Sequence, residues 1–370
     1  MDVEAMTYAL RDPAGIPTHP IVFFIVGIAT WALHIAAVAV MLGGSALAIY
    51  GSFKKDAYWH RVAHAMVDVA KIAVSVAIVI GVAPLLTTQV IYDPFWYTSN
   101  VLSAWWVIGF IGFLIVGYWF MYFYYFRNYN AEKTSKPKST WSLVISLALL
   151  LFVGWIMHVL AVQTLYPELW KGWYTPNGEF DTTGTGMHAF NGWRYAFFIS
   201  LSLPVIGAWL AGYSRYFQAR PDSDKVYLEW AGNLGYKLIN FGGVITVILG
   251  VIWMMTLPEK TAGFATSFWA WLALAALLGF VVVSNVAKQK GGAWGYVPFA
   301  AAAVAGIIVA LSREMLRYVT LNGVHGYNFM DYPVNTDWYS TILFFGTFII
   351  VGGAVLGYYL TVSWKVGQTE

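Results

Sequence analysis

The sequence predicts an all-α integral membrane protein with about nine transmembrane helices, arranged as two tandem four-helix bundles plus one extra C-terminal helix. Apolar residues make up 59% of the 370 residues and charged residues only 11%, whereas a soluble domain averages about 25% charged residues. Many of the 19 Trp and 24 Tyr stand at the ends of apolar runs, as the aromatic belts of membrane proteins do. The absence of Cys excludes disulfides, thiolate-ligated iron–sulfur clusters and covalent c-type haem within this chain.

Nine apolar runs are long enough to cross the hydrocarbon core, which takes about 20 helical residues. The predicted spans are 21–50, 62–91, 101–126, 141–165, 193–217, 234–257, 264–286, 293–311 (extending to 319) and 338–362. They divide the chain into an outer N-terminal segment (1–20), a first bundle (21–165), a Trp-rich outer loop (166–192), a second bundle (193–321), another outer loop (322–337), and a ninth helix with a cytoplasmic tail (338–370).

Positive charges indicate the orientation, because Lys and Arg accumulate in cytoplasmic loops. Thirteen lie in the connections after the odd-numbered spans and in the C-terminal tail, against six on the other side. We therefore predict a protein of the cytoplasmic (inner) membrane with its N-terminus outside and its C-terminus in the cytoplasm. Residues 1–20 lack a basic n-region, so no cleavable signal peptide is expected. The Trp-rich loop 166–192 is interpreted either as a lid or partner-docking surface or as part of an aromatic belt.

The second span carries a stripe of polar side chains on one face. His60, His64, Asp68 and Lys71 follow at intervals of four, four and three residues, which places them on the same side of a helix. Ionisable groups inside a membrane usually mark proton, ion or redox pathways. We predict that His64, Asp68 and Lys71 conduct protons from the cytoplasm. The alternative is that Asp68 and Lys71 only neutralise each other as an ion pair.

Spans one to four and five to eight align as tandem copies. The segment 81–87 aligns with 250–256, and this alignment superposes the stripe of the second span on Glu229, Asn233, Lys237 and Asn240. In the other helices it pairs His34 with Phe197 and His158 with Glu314. Because each copy has an even number of spans, the two share one topology, related by an axis along the membrane normal.

Two histidines lie deep within predicted spans, His34 in the first and His158 in the fourth. Haem b in a helical bundle takes two imidazoles from facing helices as its iron ligands. We predict that His34 and His158 form such a pair. The alternative is that each His is a hydrogen-bonded packing residue or a quinone contact.

The outer end of the eighth span carries Arg313, Glu314 and Arg317. Two Arg four residues apart can bind paired carboxylates such as haem propionates, and a Glu between them can accept protons from a quinol. The alternative is that both Arg side chains extend outward to the membrane surface.

The segment from Pro84 to Trp106 reads PLLTTQVIYDPFWYTSNVLSAWW. With the nine spans, the tandem units and the Arg313-to-Arg317 stretch, it resembles subunit I of the cytochrome bd oxidases, a haem b, quinol-oxidising family. The layout is also similar to the NrfD/polysulfide reductase membrane subunits, which bind quinone between four-helix bundles without haem. The bd-type quinol loop with its Gly-Arg-Gln-Pro-Trp run is missing, so the resemblance does not extend to oxygen reduction.

The resemblance implies a membrane subunit of a respiratory electron-transfer complex that binds haem b, quinone or both. It would act as a quinol or quinone oxidoreductase subunit between the quinone pool and an extramembrane partner, such as a cytochrome c or an iron–sulfur protein on the outer side. Lipid and other subunits are the remaining expected partners, and no nucleic acid is expected. The alternatives are a haem-free, quinone-binding or proton-translocating subunit and an ion-coupled transporter.

Overall fold

The computed structural model describes residues 2–367 of the chain. In this range it has no β-strand, and nine of its helical segments are long and apolar enough to cross a membrane. The protein is therefore an all-α, multi-pass membrane protein, as the sequence predicts. Charged and turn-forming residues separate the spans, and the longest connection between two spans is the Trp-rich segment between Gln163 and Gly192.

The helices are α1 (Val3–Ala9), α2 (Pro20–Ser52), α3 (Ala57–Ile91), α4 (Asp93–Leu102), α5 (Ala104–Asn128), α6 (Thr140–Gln163), α7 (Trp170–Tyr174), α8 (Gly192–Ser200), α9 (Ser202–Gln218), α10 (Lys225–Met255), α11 (Phe268–Lys290), α12 (Val297–Tyr318) and α13 (Trp338–Gly367). The spans are α2, α3, α5, α6, α8 with α9, α10, α11, α12 and α13.

Several span boundaries differ from the sequence prediction. The sixth span, α10, begins at Lys225 and not at residue 234, and the seventh, α11, begins at Phe268 and not at residue 264. The third span was expected to begin at residue 101, but a separate short helix, α4, precedes it. Pro94 lies in the first turn of α4, where the missing N–H of proline costs nothing. The fifth span is broken at Leu201 into α8 and α9, and Pro204 lies in the first turn of α9.

Helix pairing repeats between the two halves of the chain. In the first half α2 packs along α3 and α5 along α6, and in the second half α9 packs along α10 and α11 along α12. The closest approaches also match: a Cβ on Gly44 would lie 3.1 Å from the carbonyl oxygen of Met66, and a Cβ on Gly207 would lie 2.6 Å from that of Gly235. Met66 and Gly235 are equivalent in the repeat alignment, so this packing supports two tandem units.

Equivalent positions deeper in the two units hold equivalent rings. The imidazole of His34 lies 2.7 Å from the place a Cβ on Gly81 would occupy, and the ring of Phe197 lies 3.1 Å from that of Gly250. Each pair joins the first and second helices of its unit. The units meet where α2 packs against α9 and α12, so side chains from both units face one another along this junction.

The two ends of the molecule differ in composition. We call the end formed by residues 2–19, 164–191 and 325–337 the N-terminal face, and the end formed by residues 53–56, 129–139, 219–224 and 291–296 the basic face. At the N-terminal face, Tyr327, Phe329 and Tyr332 pack with Phe95 and Trp170 into an aromatic cluster. This cluster covers the ends of the helices at the junction.

Candidate functional site

Arg313, Glu314 and Arg317 of α12 form a buried ion cluster. Arg313 Nη1 donates to Glu314 Oε2 at 3.0 Å, and Arg317 Nη1 lies 3.4 Å from Glu314 Oε1. Only 10–12% of each of these side chains is exposed. The guanidinium groups therefore point into the protein and do not extend to the membrane surface.

Helices α2 and α3 of the other unit complete the surroundings of the cluster. The guanidinium of Arg313 lies 4.5 Å from the centre of the Trp31 indole, a cation–π contact. Arg317 Nη1 lies 3.4 Å from Thr88 Oγ1, and its guanidinium is 5.2 Å from the ring centre of Tyr92. The ion cluster thus belongs to the junction between the two units.

A third arginine, Arg194 at the start of α8, joins the cluster. Arg194 lies within electrostatic range of Arg313, Arg317 and Glu314. Its Nη1 is 3.3 Å from His158 Nδ1, and its guanidinium is 5.6 Å from the ring centre of Phe198. Three guanidinium groups thus lie within electrostatic range of a single carboxylate, and two of them form ion pairs with it.

Two cavities lie on either side of Arg313. The smaller is polar and has a volume of about 30 Å³, which is room for one or two water molecules. Its polar walls come from Arg313, Glu314, Arg317, Thr88 and Tyr92. The side chain of Tyr92 is 2% exposed, and within residues 2–367 its hydroxyl has no hydrogen-bond partner. We call this space the polar cavity.

The larger cavity lies within the second unit and has a volume of about 230 Å³. Its walls are almost entirely apolar, with Arg313 and Ser312 as the polar groups at one end. The apolar walls include Phe197, Gly250, Trp253, Met254, Phe264, Ala273, Leu274, Leu277, Val309 and Leu316. We call this space the apolar cavity. Arg313 lines both spaces, so its guanidinium lies between the apolar cavity and the polar cavity.

Both ring nitrogens of the proposed haem ligand His158 have close neighbours. Nε2 accepts a hydrogen bond from the backbone N–H of Asn191 at 3.1 Å, so in the neutral ring the proton is on Nδ1, which lies 3.3 Å from Arg194 Nη1. The ring also stacks on Trp155 with 5.5 Å between the ring centres. An iron ligand needs a free ring nitrogen, so His158 as placed does not fit this role and instead holds the start of α8.

The other proposed ligand, His34, is placed differently. Its Nδ1 lies 2.9 Å from the carbonyl oxygen of Ala77, a contact that fixes the tautomer of a ligating His in many metal sites. His34 packs on Gly81 of α3 and interacts electrostatically with Arg313, whereas His158 packs on the segment that leads into α8. The structure shows no contact between the two rings. Haem ligation by this pair stays a prediction from the sequence, and the residues present do not support it.

No group of three or more His, Asp or Glu side chains is placed to hold a metal ion in the part of the chain that the structure describes.

The stripe on α3 lies at the basic face, away from the ion cluster. His60 Nδ1 lies 3.0 Å from the carbonyl oxygen of Thr134, and His60 Nε2 lies 2.8 Å from the carbonyl oxygen of Lys54. His64 Nε2 lies 3.1 Å from the carbonyl oxygen of Ser135. The two rings therefore fasten the connection 129–139 over the end of α3.

Asp68 and Lys71 form the ion pair that the alternative interpretation describes. Lys71 Nζ donates to Asp68 Oδ1 at 2.8 Å, and Lys133 Nζ lies 3.7 Å from the other carboxylate oxygen. The stripe continues to Ser75, and residues 76–86 that follow are all apolar, Gly or Pro. The described structure therefore does not connect the stripe to Glu314, and the geometry favours the ion-pair interpretation.

We expect Asp68→Asn to lower the free energy of unfolding of the purified protein by about 1 kcal/mol or less. The reason is that the carboxylate is 42% exposed and partly exposed ion pairs contribute about 0–1 kcal/mol. The measurement is denaturant unfolding of the variant beside Lys133→Met, which removes the second lysine near the same carboxylate. An unchanged stability of Asp68→Asn together with a loss of proton uptake would instead support the proton path predicted from the sequence.

A polar clasp closes the N-terminal face above the polar cavity. The guanidinium of Arg11 lies 4.0–4.6 Å from the ring centres of Tyr8, Tyr327 and Tyr332. Asp93 accepts the backbone N–H of Asp12 at 3.1 Å and the hydroxyl of Tyr332. Burial raises the pKa of Asp93 to about 6, although the Asp12 N–H and the Arg11 charge act in the opposite direction. The clasp ties the N-terminal segment to the start of α4.

We expect Asp93 to stabilise the purified protein more at pH 5 than at pH 7. The pKa of Asp93 is raised in the folded state from 3.8 to about 6, so the folded protein binds this proton more tightly than the unfolded chain. Stability from this group is therefore present below pH 4 and is lost as the pH rises through 6. The Tm of the wild type minus that of Asp93→Asn should accordingly be larger at pH 5 than at pH 7, whereas the exposed-site control Asp222→Asn should show the same Tm difference from the wild type at both pH values.

Sequence reasoning missed three residues of the site: Trp31, Tyr92 and Arg194. Trp31 precedes His34 by three residues, which puts both on one face of α2. This spacing could have identified Trp31 as a residue of the site. Arg194 was counted only as an outer positive charge, and Tyr92 lies after the predicted end of its span. Comparison with the families and the curated proteins that are known gives no match for this chain.

Proposed function

We propose that this chain is the quinone-binding membrane subunit of a respiratory electron-transfer complex. It would exchange electrons between the quinone pool and an extramembrane partner. The observation that carries the proposal is the position of Arg313, whose guanidinium borders both the apolar cavity and the polar cavity that contains Glu314. A quinone needs such a combination, because its ring and tail are apolar while its oxygens gain and lose protons.

The apolar cavity has the size and lining for a quinone ring. An engineered apolar cavity of about 150 Å³ holds benzene, and about 230 Å³ are available here. Trp253 and Phe264 supply aromatic walls against which a flat ring can stack. The ring of Trp271, also in the lining, is 59% exposed on the outside of the molecule, so the cavity borders the surface that faces lipid. A quinone could therefore enter from the bilayer.

The charges at the end of the cavity suit a reacting quinol oxygen. The guanidinium of Arg313 can donate a charge-assisted hydrogen bond to this oxygen and stabilise the negative charge that develops on it. Glu314 lies 3.0 Å from Arg313 and faces the polar cavity, where its carboxylate can pass a proton to water. The neighbouring Arg194 and Arg317 keep the local potential positive.

In the proposed reaction the chain oxidises quinol. Quinol loses two protons and two electrons and becomes quinone. Each proton passes to the carboxylate of Glu314 and from there to water at the N-terminal face. The electrons pass to a one-electron carrier of the partner, an iron–sulfur centre or a c-type cytochrome. Quinone reduction is the same sequence in reverse, and no step passes through haem on this chain.

The charge distribution supports placing the partner at the outer side of the membrane. The excess of Lys and Arg is at the basic face, thirteen against six, which would orient that face to the cytoplasm. The N-terminal face exposes the rings of Phe180, Phe190 and Trp193 by 72%, 60% and 47%. A partner docked on these rings would stand over the end of the ion cluster.

The proposal is tested by thermal unfolding of the purified protein with short-chain ubiquinone and menaquinone analogues. A ligand that binds the folded state at 100 times its Kd adds about 2.7 kcal/mol of stability, so the Tm should rise and saturate with one analogue or both. The matched control is an alkane tail without a ring. Failure of both quinones to raise the Tm above the alkane control would overturn the proposal and favour the transporter alternative.

A further inference from the structure

We propose that the polar cavity between α2, α3 and α12 is a binding site for a small anion. The local charge favours an anion. Arg313 and Arg317 line the cavity, and Glu314 carries the only negative charge within ion-pair distance of either of them in the described chain. Arg194 does not line the cavity but adds a third positive charge within electrostatic range of both. The positive charges of the cluster therefore exceed its negative charge.

The position of the cluster makes this excess costly. A buried charge that is not paired costs several kcal/mol even in a soluble protein, and a charge inside a membrane is expensive for the same reason. Both oxygens of Glu314 are already engaged, one by Arg313 and one by Arg317. A further negative charge beside these guanidinium groups would remove part of the excess.

The cavity also contains a hydrogen-bond donor. The hydroxyl of Tyr92 lines the polar cavity, is buried, and makes no hydrogen bond of normal geometry within residues 2–367. It interacts with Glu314, whose two carboxylate oxygens are already engaged by Arg313 and Arg317. A phenol hydroxyl beside these guanidinium groups is a suitable donor to an anion.

The size of the polar cavity fits a small anion. The cavity volume is about 30 Å³, which matches a halide or one oxygen-rich end of an oxyanion and is too small for a substituted ring. Phe23 and Phe24 at the start of α2 also line the cavity, and these residues lie about two turns or less from the N-terminal face. The anion can therefore come either from solution or from the phosphate of an outer-leaflet lipid. The site is separate from the apolar cavity, and the proposal does not depend on quinone binding.

The test is the thermal unfolding of the purified protein at constant ionic strength, with chloride replacing gluconate, an anion too bulky for the cavity. We expect the Tm to rise with chloride and to saturate. Arg317→Gln should lose this response. The surface variant Arg127→Gln, which removes an exposed arginine of α5, should keep it. Glu314→Gln should respond at a chloride concentration at least tenfold lower, because it removes the repelling carboxylate.

The two sources of the anion are distinguished by repeating the titration in nanodiscs of digalactosyldiacylglycerol, a neutral lipid without phosphate, and of phosphatidylglycerol. A chloride response that is present in the glycolipid and lost in phosphatidylglycerol identifies a lipid phosphate as the competing occupant, and a response in both identifies the free ion. A response of equal size in wild type, Arg317→Gln and Arg127→Gln would be a general surface effect and would overturn the proposal. If Arg317→Gln does not fold, an equal response of the wild type to chloride and gluconate overturns it as well.

Discussion

Replacing Glu314 with Gln is expected to slow quinol-dependent electron transfer by about 100-fold or more in membranes that contain the native complex. A positioned general base typically contributes 10²–10⁴-fold to a rate, and Gln cannot accept the proton. Reduction of the partner by dithionite, which needs no quinol, should change by less than twofold. The measurement is the ratio of the two rates in wild type and variant.

Two controls make this result specific. Glu314→Asp keeps a carboxylate and should recover part of the quinol-dependent rate. Glu229→Gln removes an exposed carboxylate at the other end of the molecule and should leave both rates unchanged. Because removing one partner of a buried ion pair can cost about 3–5 kcal/mol, the amount of folded protein is measured in parallel. An equal loss with both reductants would remove Glu314 from the mechanism.

Filling the apolar cavity is expected to have the second largest effect. Ala273 of α11 lines this cavity, and Ala273→Phe would place a phenyl ring in a volume of about 230 Å³. We expect the quinol concentration that gives half of the maximal rate to rise at least tenfold. Dithionite-dependent reduction should again be unchanged, since the ring does not touch the path of electrons to the partner.

The same helix supplies a matched control. Ala275 lies two residues further along α11, is exposed, and does not line the cavity. Ala275→Phe therefore adds the same ring on the side that faces lipid, and we expect the quinol dependence of wild type. Identical kinetics for the two variants would show that quinol binds elsewhere.

The spans could be predicted from the sequence because hydropathy and charge report directly on the cost of burial in lipid. The predicted second and ninth spans lie inside α3 and α13. Pro204 indicates an interruption of the fifth span, but the sequence does not show that the helix ends at Leu201 and restarts at Ser202. Whether a chain restarts there depends on the packing of α8 and α9 against α10.

The tandem repeat was accessible because equivalent glycines mark equivalent close contacts. Gly44 and Gly207 are equivalent in the alignment that pairs His34 with Phe197, since each lies ten residues further along its helix, and the structure places each against the backbone of the second helix in its unit. Two helix backbones can approach this closely only where a glycine lies at the crossing. The same spacing of glycines therefore recurs in both halves of the sequence. The repeat could therefore be found without knowing the three-dimensional arrangement.

The histidine pair could not be judged from the sequence. Depth along a helix follows from residue number, but ring orientation depends on partners that are distant in sequence. The partner that engages His158 is the backbone N–H of Asn191, 33 residues away. The role of Arg313 was similarly hidden, because its contact with Trp31 joins α12 to α2 of the other unit.

The most direct test of the account is photolabelling of the complex with an azido-quinone, followed by peptide mapping of the labelled chain. We predict labels on the segments of α10, α11 and α12 that line the apolar cavity, including Met254 and Leu277. An excess of unlabelled quinone should remove them, and Ala273→Phe should lower their yield at least tenfold. Competable labels confined to other helices, with none on these three, would contradict the quinone site proposed beside Arg313.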